Sequence, residues 1–328
     1  MITRTVIRRG LRLLALALAV LVALAGVLAA TLRLQFTGAP AAWAKSTGND
    51  ALWLGHAWVD GRRTERDVER LATRLRTTGI KDVYVHSGPF EVDGRLDPAK
   101  YPHAGNFVKW LRRHAPGIRI SAWLGQRVDG HLDLDDPRSR ANVLSGVAAI
   151  MTRGFDGIHY NFEPIGDGDT DFLDLLERTR RHTSLLSAST PQIEPYPGLR
   201  VAARAALGHD KYWSQGYFGQ VAARVDQVAV MTYDSYLPFP SLYGGHVARQ
   251  ARLALDLVPE DKALYMGAPA YHDHGLSYLD AAESVAMAAE GARLALTDRG
   301  RRERFGLALY VDFAATEEDW REYMTRWR

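Results

Sequence analysis

Polar side chains occupy alternate positions in the stretch Phe155-Asp156-Gly157-Ile158-His159-Tyr160-Asn161-Phe162-Glu163-Pro164. Successive side chains of a β-strand point to opposite faces. Ile158, Tyr160 and Phe162 then share one face, and His159, Asn161 and Glu163 the other. An imidazole, an amide and a carboxyl in one row are groups that hold and exchange protons. Burying them without partners would cost a few kcal/mol each, so packing alone does not account for the row. The plainer alternative is a polar layer whose members satisfy one another beneath a surface loop. Histidines also invite a metal reading: His56, His86 and His159 fall near the ends of three predicted strands, and His272 and His274 in a loop. A zinc hydrolase would need about three ligands converging on one point. No strand carries an H-x-H pair, so a metal-dependent hydrolase is the weaker reading and no cofactor is expected. The absence of cysteine excludes a thiolate nucleophile, a Cys-type zinc site and a disulfide frame. Asp167, Asp169 and Asp171 resemble the start of a calcium loop but lack its glycine and final glutamate. Acids just ahead of a helix stabilise its N-terminus, which is the preferred account.

The elements that must hold this row alternate along the chain from residue 51. Short β-branched or apolar runs predict strands at Ala51–Trp58, Asp82–Gly88, Ile118–Leu124, Asp156–Glu163, Leu199–Ala206, Val225–Asp234, Ala263–Tyr271 and Phe305–Asp312. Helical stretches lie between them. Thr64 with Asp67, Ser277 with Asp280, and Thr316 with Asp319 each set a hydroxyl three residues before an acid, a helix-start signal. The last helix is expected over Thr316 to Trp327. Eight βα units in the body predict an α/β protein of the (β/α)8 TIM-barrel class. An open doubly wound sheet is the alternative, but no glycine-rich phosphate turn follows the first strand. In such a barrel, active sites sit at the C-terminal ends of the strands. Trp58, Trp123, Trp213, Tyr236, Tyr271 and Tyr310 fall near predicted strand ends and could offer a ligand flat stacking faces. Trp123, Tyr271 and Tyr310 are the leading candidates.

The 328 residues carry 41 basic and 38 acidic groups, a formal charge of +3. Arg4, Arg8, Arg9, Arg12 and Arg33 contribute five of these positive charges within residues 1–44, which hold no acid. The remainder therefore has 36 basic and 38 acidic groups, a net of −2. A faintly acidic body without a basic run is a poor nucleic-acid binder, and none is expected as partner. Leu13 to Leu32 runs apolar for about 30 Å as a helix, the thickness of a bilayer's hydrocarbon core. Residues 1–36 are therefore expected to form a signal anchor: a cytoplasmic arginine cluster and a transmembrane helix. Residues 37–50 follow as a linker, and residues 51–328 as the barrel. The arginine cluster predicts a barrel outside the cytoplasm. A secreted form would follow from cleavage after Ala23-Leu24-Ala25 or Ala42-Trp43-Ala44.

The fourth-strand stretch resembles the D-G-x-D-x-D-x-E signature of glycoside hydrolase family 18, the chitinases and their relatives. Met231-Thr232-Tyr233-Asp234 is similar to that family's M-x-Y-D, and Gly267-Ala268-Pro269-Ala270-Tyr271 to its G-x-P-x-Y. The three motifs stand in family order on the matching predicted strands. The resemblance implies a TIM barrel that hydrolyses a β-linked N-acetylhexosamine glycan, such as chitin, peptidoglycan or an exopolysaccharide. It implies retention of configuration, with the substrate's own acetamido oxygen attacking the anomeric carbon. Glu163 matches the general acid. Asn161 stands where an Asp orients the acetamido group, and Tyr233 matches the tyrosine that steadies its carbonyl. Asp234 matches a sugar-binding acid. His159, Met231, Trp123, Tyr271 and Tyr310 complete the expected substrate contacts. His159 replaces the family's innermost Asp, and Tyr310 its usual floor tryptophan. A glycan-binding protein without turnover is the alternative that these replacements suggest.

Overall fold

A computed structural model describes residues 2–273, 275 and 277–328. Strands and helices are numbered in chain order. Eight parallel strands close a barrel in the order β1 (Asp50–Leu54), β2 (Ile80–His86), β3 (Arg119–Arg127), β4 (Gly157–Glu163), β5 (Leu185–Thr190), β8 (Gln227–Val230), β9 (Ala263–Pro269) and β10 (Phe305–Tyr310). β10 pairs with β1 to complete the ring. A short parallel pair, β6 (Gln192–Ile193) and β7 (Tyr212–Trp213), lies in the crossover between β5 and β8. The crossovers carry α2 (Glu65–Thr78), α3 (Ala104–His114), α4 (Pro137–Met151), α5 (Thr170–Thr179), α6 (Leu199–Leu207), α7 (Gln215–Arg224), α8 (Pro240–Leu257) and α9 (Val285–Arg299). α10 (Glu317–Glu322) and a π-helical turn over Tyr323–Trp327 follow β10, where one continuous helix was expected.

Alternation builds two cores. Ile158, Tyr160 and Phe162 join the apolar layer beneath the helices. Trp53, Tyr84, Trp123 and Tyr265 fill the barrel with small alanines between them. At its base, Asp82 is buried and accepts Arg119 through both guanidinium arms at 2.7 and 2.6 Å. It also accepts from Tyr265 Oη at 2.6 Å and Gln227 Nε2 at 2.8 Å. Asp82→Ala leaves all these donors without their acceptor. The expected loss is about 3–5 kcal/mol, read as a lower denaturant midpoint. An unchanged midpoint would show that the cluster adds no stability. A second buried carboxylate, Asp50, accepts from Tyr323 Oη and Trp327 Nε1 at 2.7 Å each and from the Leu307 amide at 2.8 Å.

The fifth strand departs from expectation. Leu199–Leu207 is the helix α6, and β5 is instead Leu185-Leu186-Ser187-Ala188-Ser189-Thr190. Alanine and arginine favour a helix more than β-branched residues do, and left-handed Gly198 and Gly208 bound this one. Ser277 and Asp280 do not start a helix. α9 begins later, where the Ser284 hydroxyl accepts from the Met287 amide. The capping boxes at Thr64 and Thr316 form as the sequence suggests.

Before the barrel comes α1 (Ile2–Gln35), which includes a stretch, Arg8–Gln35, long and apolar enough to cross a membrane. Its last turns lie on α8. A side chain at Gly245 would overlap the Leu32 carbonyl, and one at Gly244 the Phe36 ring. The Gln35 side chain accepts from Arg252 Nη1 at 2.8 Å. Residues 37–49 then run along α9 to the barrel base. The Ala41 amide bonds Thr297 Oγ1 at 2.9 Å, and Arg293 bonds the Ala44 carbonyl at 2.7 Å.

Candidate active site

β4 delivers its polar row into the barrel, and each member meets a different environment. Glu163, at the strand's end, is exposed in the mouth. Asn161 lies one step deeper and donates from Nδ2 to Glu163 Oε1 at 2.8 Å. The Asn161 Oδ1 atom is buried and has no hydrogen-bond partner among the described residues. Neighbouring β3 permits this arrangement. Gly125 pairs with Asn161 in register, and a side chain at Gly125 would overlap the Asn161 carbonyl.

His159, expected to meet the substrate, has no exposed surface. Its Nε2 lies 3.0 Å from Trp53 Nε1 and 2.9 Å from Ser189 Oγ, and its Nδ1 lies 2.8 Å from Ser187 Oγ. An indole N–H only donates, so Nε2 is the acceptor and Nδ1 carries the hydrogen. Its ring stacks on Tyr84 with centroids 3.8 Å apart. Burial drives its pKa well below the usual value, so His159 stays neutral. It braces the floor under Asn161 and touches neither the carboxyl nor the cleft.

β8 ends just before Met231-Thr232-Tyr233-Asp234. Tyr233 stacks on Tyr310 at 5.2 Å between ring centroids and meets Tyr271 edge-on at 5.8 Å. Trp123 lies beyond Tyr310, edge to face at 6.0 Å. Asp234 Oδ1 accepts from the Tyr271 hydroxyl at 3.1 Å and the Ser277 hydroxyl at 3.3 Å. The Asp234 backbone is left-handed, with φ 54°. That conformation costs an L-residue on the order of 1–2 kcal/mol and needs external support. Glu283 supplies it, taking the Asp234 amide at 2.8 Å and the Ser235 amide and hydroxyl at 2.7 Å each. Lys211 adds a 2.7 Å bond to the Asp234 carbonyl.

Two recesses of about 360 and 320 Å³ meet at Glu163. The larger is lined by Met231, Tyr233, Asp234, Lys211 and Arg127 among others, the smaller by His86, Trp123, Gln126 and Asn161. A third, of about 590 Å³, shares His86 and Trp123 and continues past Tyr310 and Phe313. The mouth therefore carries a groove with the carboxyl partway along it. The crowded protein around Glu163 raises its pKa by desolvation. The Asn161 bond and Arg127 pull it down, and Asp234 pushes it up, so a raised value is the net result. Glu283 is driven to about 7, chiefly by burial, and Lys211 down to about 8 for the same reason.

The expected residues Glu163, Asn161, Tyr233, Asp234, Tyr271, Tyr310, Trp123 and Met231 all lie around this mouth. Trp213 does not: it is buried, with its indole N–H on the Ile165 carbonyl at 2.9 Å. His56 and His86 face each other edge-on at 5.3 Å. His272 lies between Asp280 at 2.7 Å and Asp319 at 3.0 Å, and His274 falls outside the described residues. Asp169 caps α5, Asp167 accepts the Ser214 amide at 2.6 Å, and Asp171 pairs with Arg140 at 2.6 Å. Sequence reasoning missed Glu283, Lys211 and Arg127.

Glu283→Ala strands two backbone N–H groups. The expected cost is about 1–3 kcal/mol for each left unsatisfied. Thermal unfolding checks it, and a parent-like Tm would mean the loop holds itself. A carboxyl that titrates near 7 when folded and near 4.5 when unfolded favours the folded state most below 4.5. That contribution drains away as pH rises towards 7. Glu283→Gln should therefore flatten the fall in Tm over this range, and an unflattened curve would contradict the assignment.

A comparison with family models finds no match, and one with curated protein sequences finds none either. Solved structures do match. A chitinase from Chromobacterium violaceum superposes with a TM-score of 0.59 at 15% identity, over 84% of this chain and 97% of that one. The spore cortex-lytic enzyme SleL of Bacillus cereus gives 0.57 at 14%, over 85% and 74%. A chitinase from Bacteroides thetaiotaomicron gives 0.57 at 10%, over 84% and 95%. In fold, the chain is a chitinase-like (β/α)8 barrel.

Proposed function

We propose that this protein is a retaining glycosidase that cleaves β-linked N-acetylhexosamine glycans with the help of the substrate's acetamido group. Its family 18-like motifs and the chitinase and cortex-lytic enzymes among its structural neighbours support the reaction class. The observation that carries the reading is the Asn161–Glu163 pair with a free acceptor beside it. Glu163, whose pKa its surroundings raise, donates to the departing glycosidic oxygen. Asn161 Oδ1 accepts the acetamido N–H, which turns the acetamido oxygen towards the anomeric carbon. As that oxygen attacks, the glycosidic bond breaks with the proton passing to the leaving sugar. Water then opens the cyclic intermediate, returning the proton to Glu163. Tyr233 steadies the acetamido carbonyl, and Asp234 holds the neighbouring hydroxyls. The groove on both sides of Glu163 suits a polymer rather than a single sugar.

The apolar stretch of α1 is read here as a membrane span. The arginines before it stay cytoplasmic, and the barrel works outside. The domain limits follow, with the linker one residue shorter than expected because Asp50 opens β1: residues 1–36 as anchor, 37–49 as linker and 50–328 as barrel. The test is to give the full chain, in detergent, chitooligosaccharides and peptidoglycan fragments, with products read by mass spectrometry and anomeric NMR. Cleavage with retention supports the reading. Binding across the panel without any product favours the second reading, a glycan receptor, which the neutral Asn161 and the sealed His159 support.

A further inference from the structure

We infer that α1 holds the barrel with its mouth against the bilayer, so that the site meets glycan at the outer membrane surface. This rests on the membrane-span reading of α1 and goes beyond it. The first observation is direction. α8 begins at the mouth, just after β8, and descends to the base. Leu32 meets Gly245 and the Phe36 ring leans back to Gly244, while the Gln35 carbonyl and side chain, one turn past Leu32, both accept from Arg252, two turns past Gly245. α1 therefore passes α8 in the same sense, towards the base. The chain after it continues that way, bonding Thr297 near the end of α9 and entering β1 from below. Everything before the contact consequently lies on the mouth side. Among the described side chains of α1, Leu28 is the first to be partly covered, and Val22 to Val27 are exposed. Leu13 to Val27, the apolar run past the arginine cluster, projects about 22 Å beyond the contact, short of one hydrocarbon thickness, which draws the mouth down against the headgroups.

The second observation concerns the body's exposed apolar side chains. Among the described residues outside α1, large apolar side chains are exposed at Val92, Val201, Tyr236, Phe239, Leu279 and Phe313. Each lies on a segment leaving the C-terminal end of a barrel strand, which is the mouth face. The remaining one, Met324, follows α10. Valine and leucine offer no flat ring for a sugar, so glycan stacking does not explain their place. A rim of apolar and aromatic groups resting in the headgroup region does. Phe239 leads into α8 beside the anchor. Val92 follows β2, which stands across the barrel from β8, so the rim spans the whole mouth.

The chain has no cysteine, so single substitutions accept one fluorophore each. Full-length Phe239→Cys, Val92→Cys and, at the base, Glu260→Cys would be labelled and reconstituted into phosphatidylethanolamine–phosphatidylglycerol vesicles carrying a headgroup energy acceptor. Transfer from residues 239 and 92 is expected to exceed that from 260 several-fold. Equal transfer from all three, or the strongest from 260, overturns the proposal while leaving the span intact. Flotation on a density gradient separates the two ideas. A chain that does not rise with the vesicles removes the span and the orientation together, and the glycosidase assay stands apart from both.

Discussion

Glu163→Gln is expected to lower kcat on an N-acetylhexosamine polymer by about 10²–10⁴-fold, the contribution of a positioned general acid. The substitution keeps the side chain's shape, and the Asn161 Nδ2 bond to Oε1 survives in the amide. Only the transferable proton is lost, so KM should stay near that of the parent. Because desolvation raises the Glu163 pKa, the parent holds its acid form to higher pH than an ordinary glutamate. Its rate should fall as pH climbs through that raised value, and the variant's residual rate should lack this limb. A substrate with a good leaving group, such as a nitrophenyl glycoside, needs less protonation and should recover part of the loss. Parent-like turnover of the polymer by Glu163→Gln would sink the assignment.

Asn161→Ala comes next, with an expected loss of about 10²–10³-fold, the scale set by removing one preorganised group from a reacting centre. The side chain does two things at once, and two variants separate them. Alanine removes both the Oδ1 acceptor and the Nδ2 donor. Aspartate keeps an acceptor but places a second carboxylate within 3 Å of the first, judged by the present 2.8 Å bond. A like charge at that range raises a neighbour's pKa, so Asn161→Asp should move the descending limb of the pH profile upward by about one unit or more. Glycans whose N-acetyl groups have been removed should be inert to parent and variants alike. Equal cleavage of acetylated and deacetylated polymer would rule out acetamido participation.

Much of this site was legible because a barrel turns alternation into address. Once Ile158, Tyr160 and Phe162 face the helices, Asn161 and Glu163 point inward, and the strand's end puts Glu163 in the mouth. Tyr233 and Asp234 came instead from the likeness to the M-x-Y-D motif, since both lie past the end of β8, where alternation no longer applies. The fifth strand was not legible in that way. Ser187, Ser189 and Thr190 read as a turn in isolation, yet the first two exist to bond a histidine from another strand. In α6 the signal was present but passed over: Arg200 and Arg204 stand four apart among alanines, a helical spacing. His159 was assigned to the right face, but its depth depends on how Trp53 and Tyr84 fill the barrel. Glu283 left no local sign. It stands next to the serine that caps α9, and its task is defined by the Asp234 loop some fifty residues earlier.

The Asp50 cluster at the barrel base bears on the order in which the molecule is made. This carboxylate opens the first strand, but Leu307, Tyr323 and Trp327 supply its shield. During synthesis its partners are still unmade for more than two hundred and fifty residues. The first strand also has no β10 beside it until some two hundred and fifty residues after it. Closure is therefore a late event, since contacts so distant in sequence form slowly. A chain emerging through a membrane would spend most of its transit as an open sheet with a raw edge. On the proposed topology, factors that bind extended strands outside the cytoplasm would find their target in that interval, and the arrival of residues 323–327 would end it.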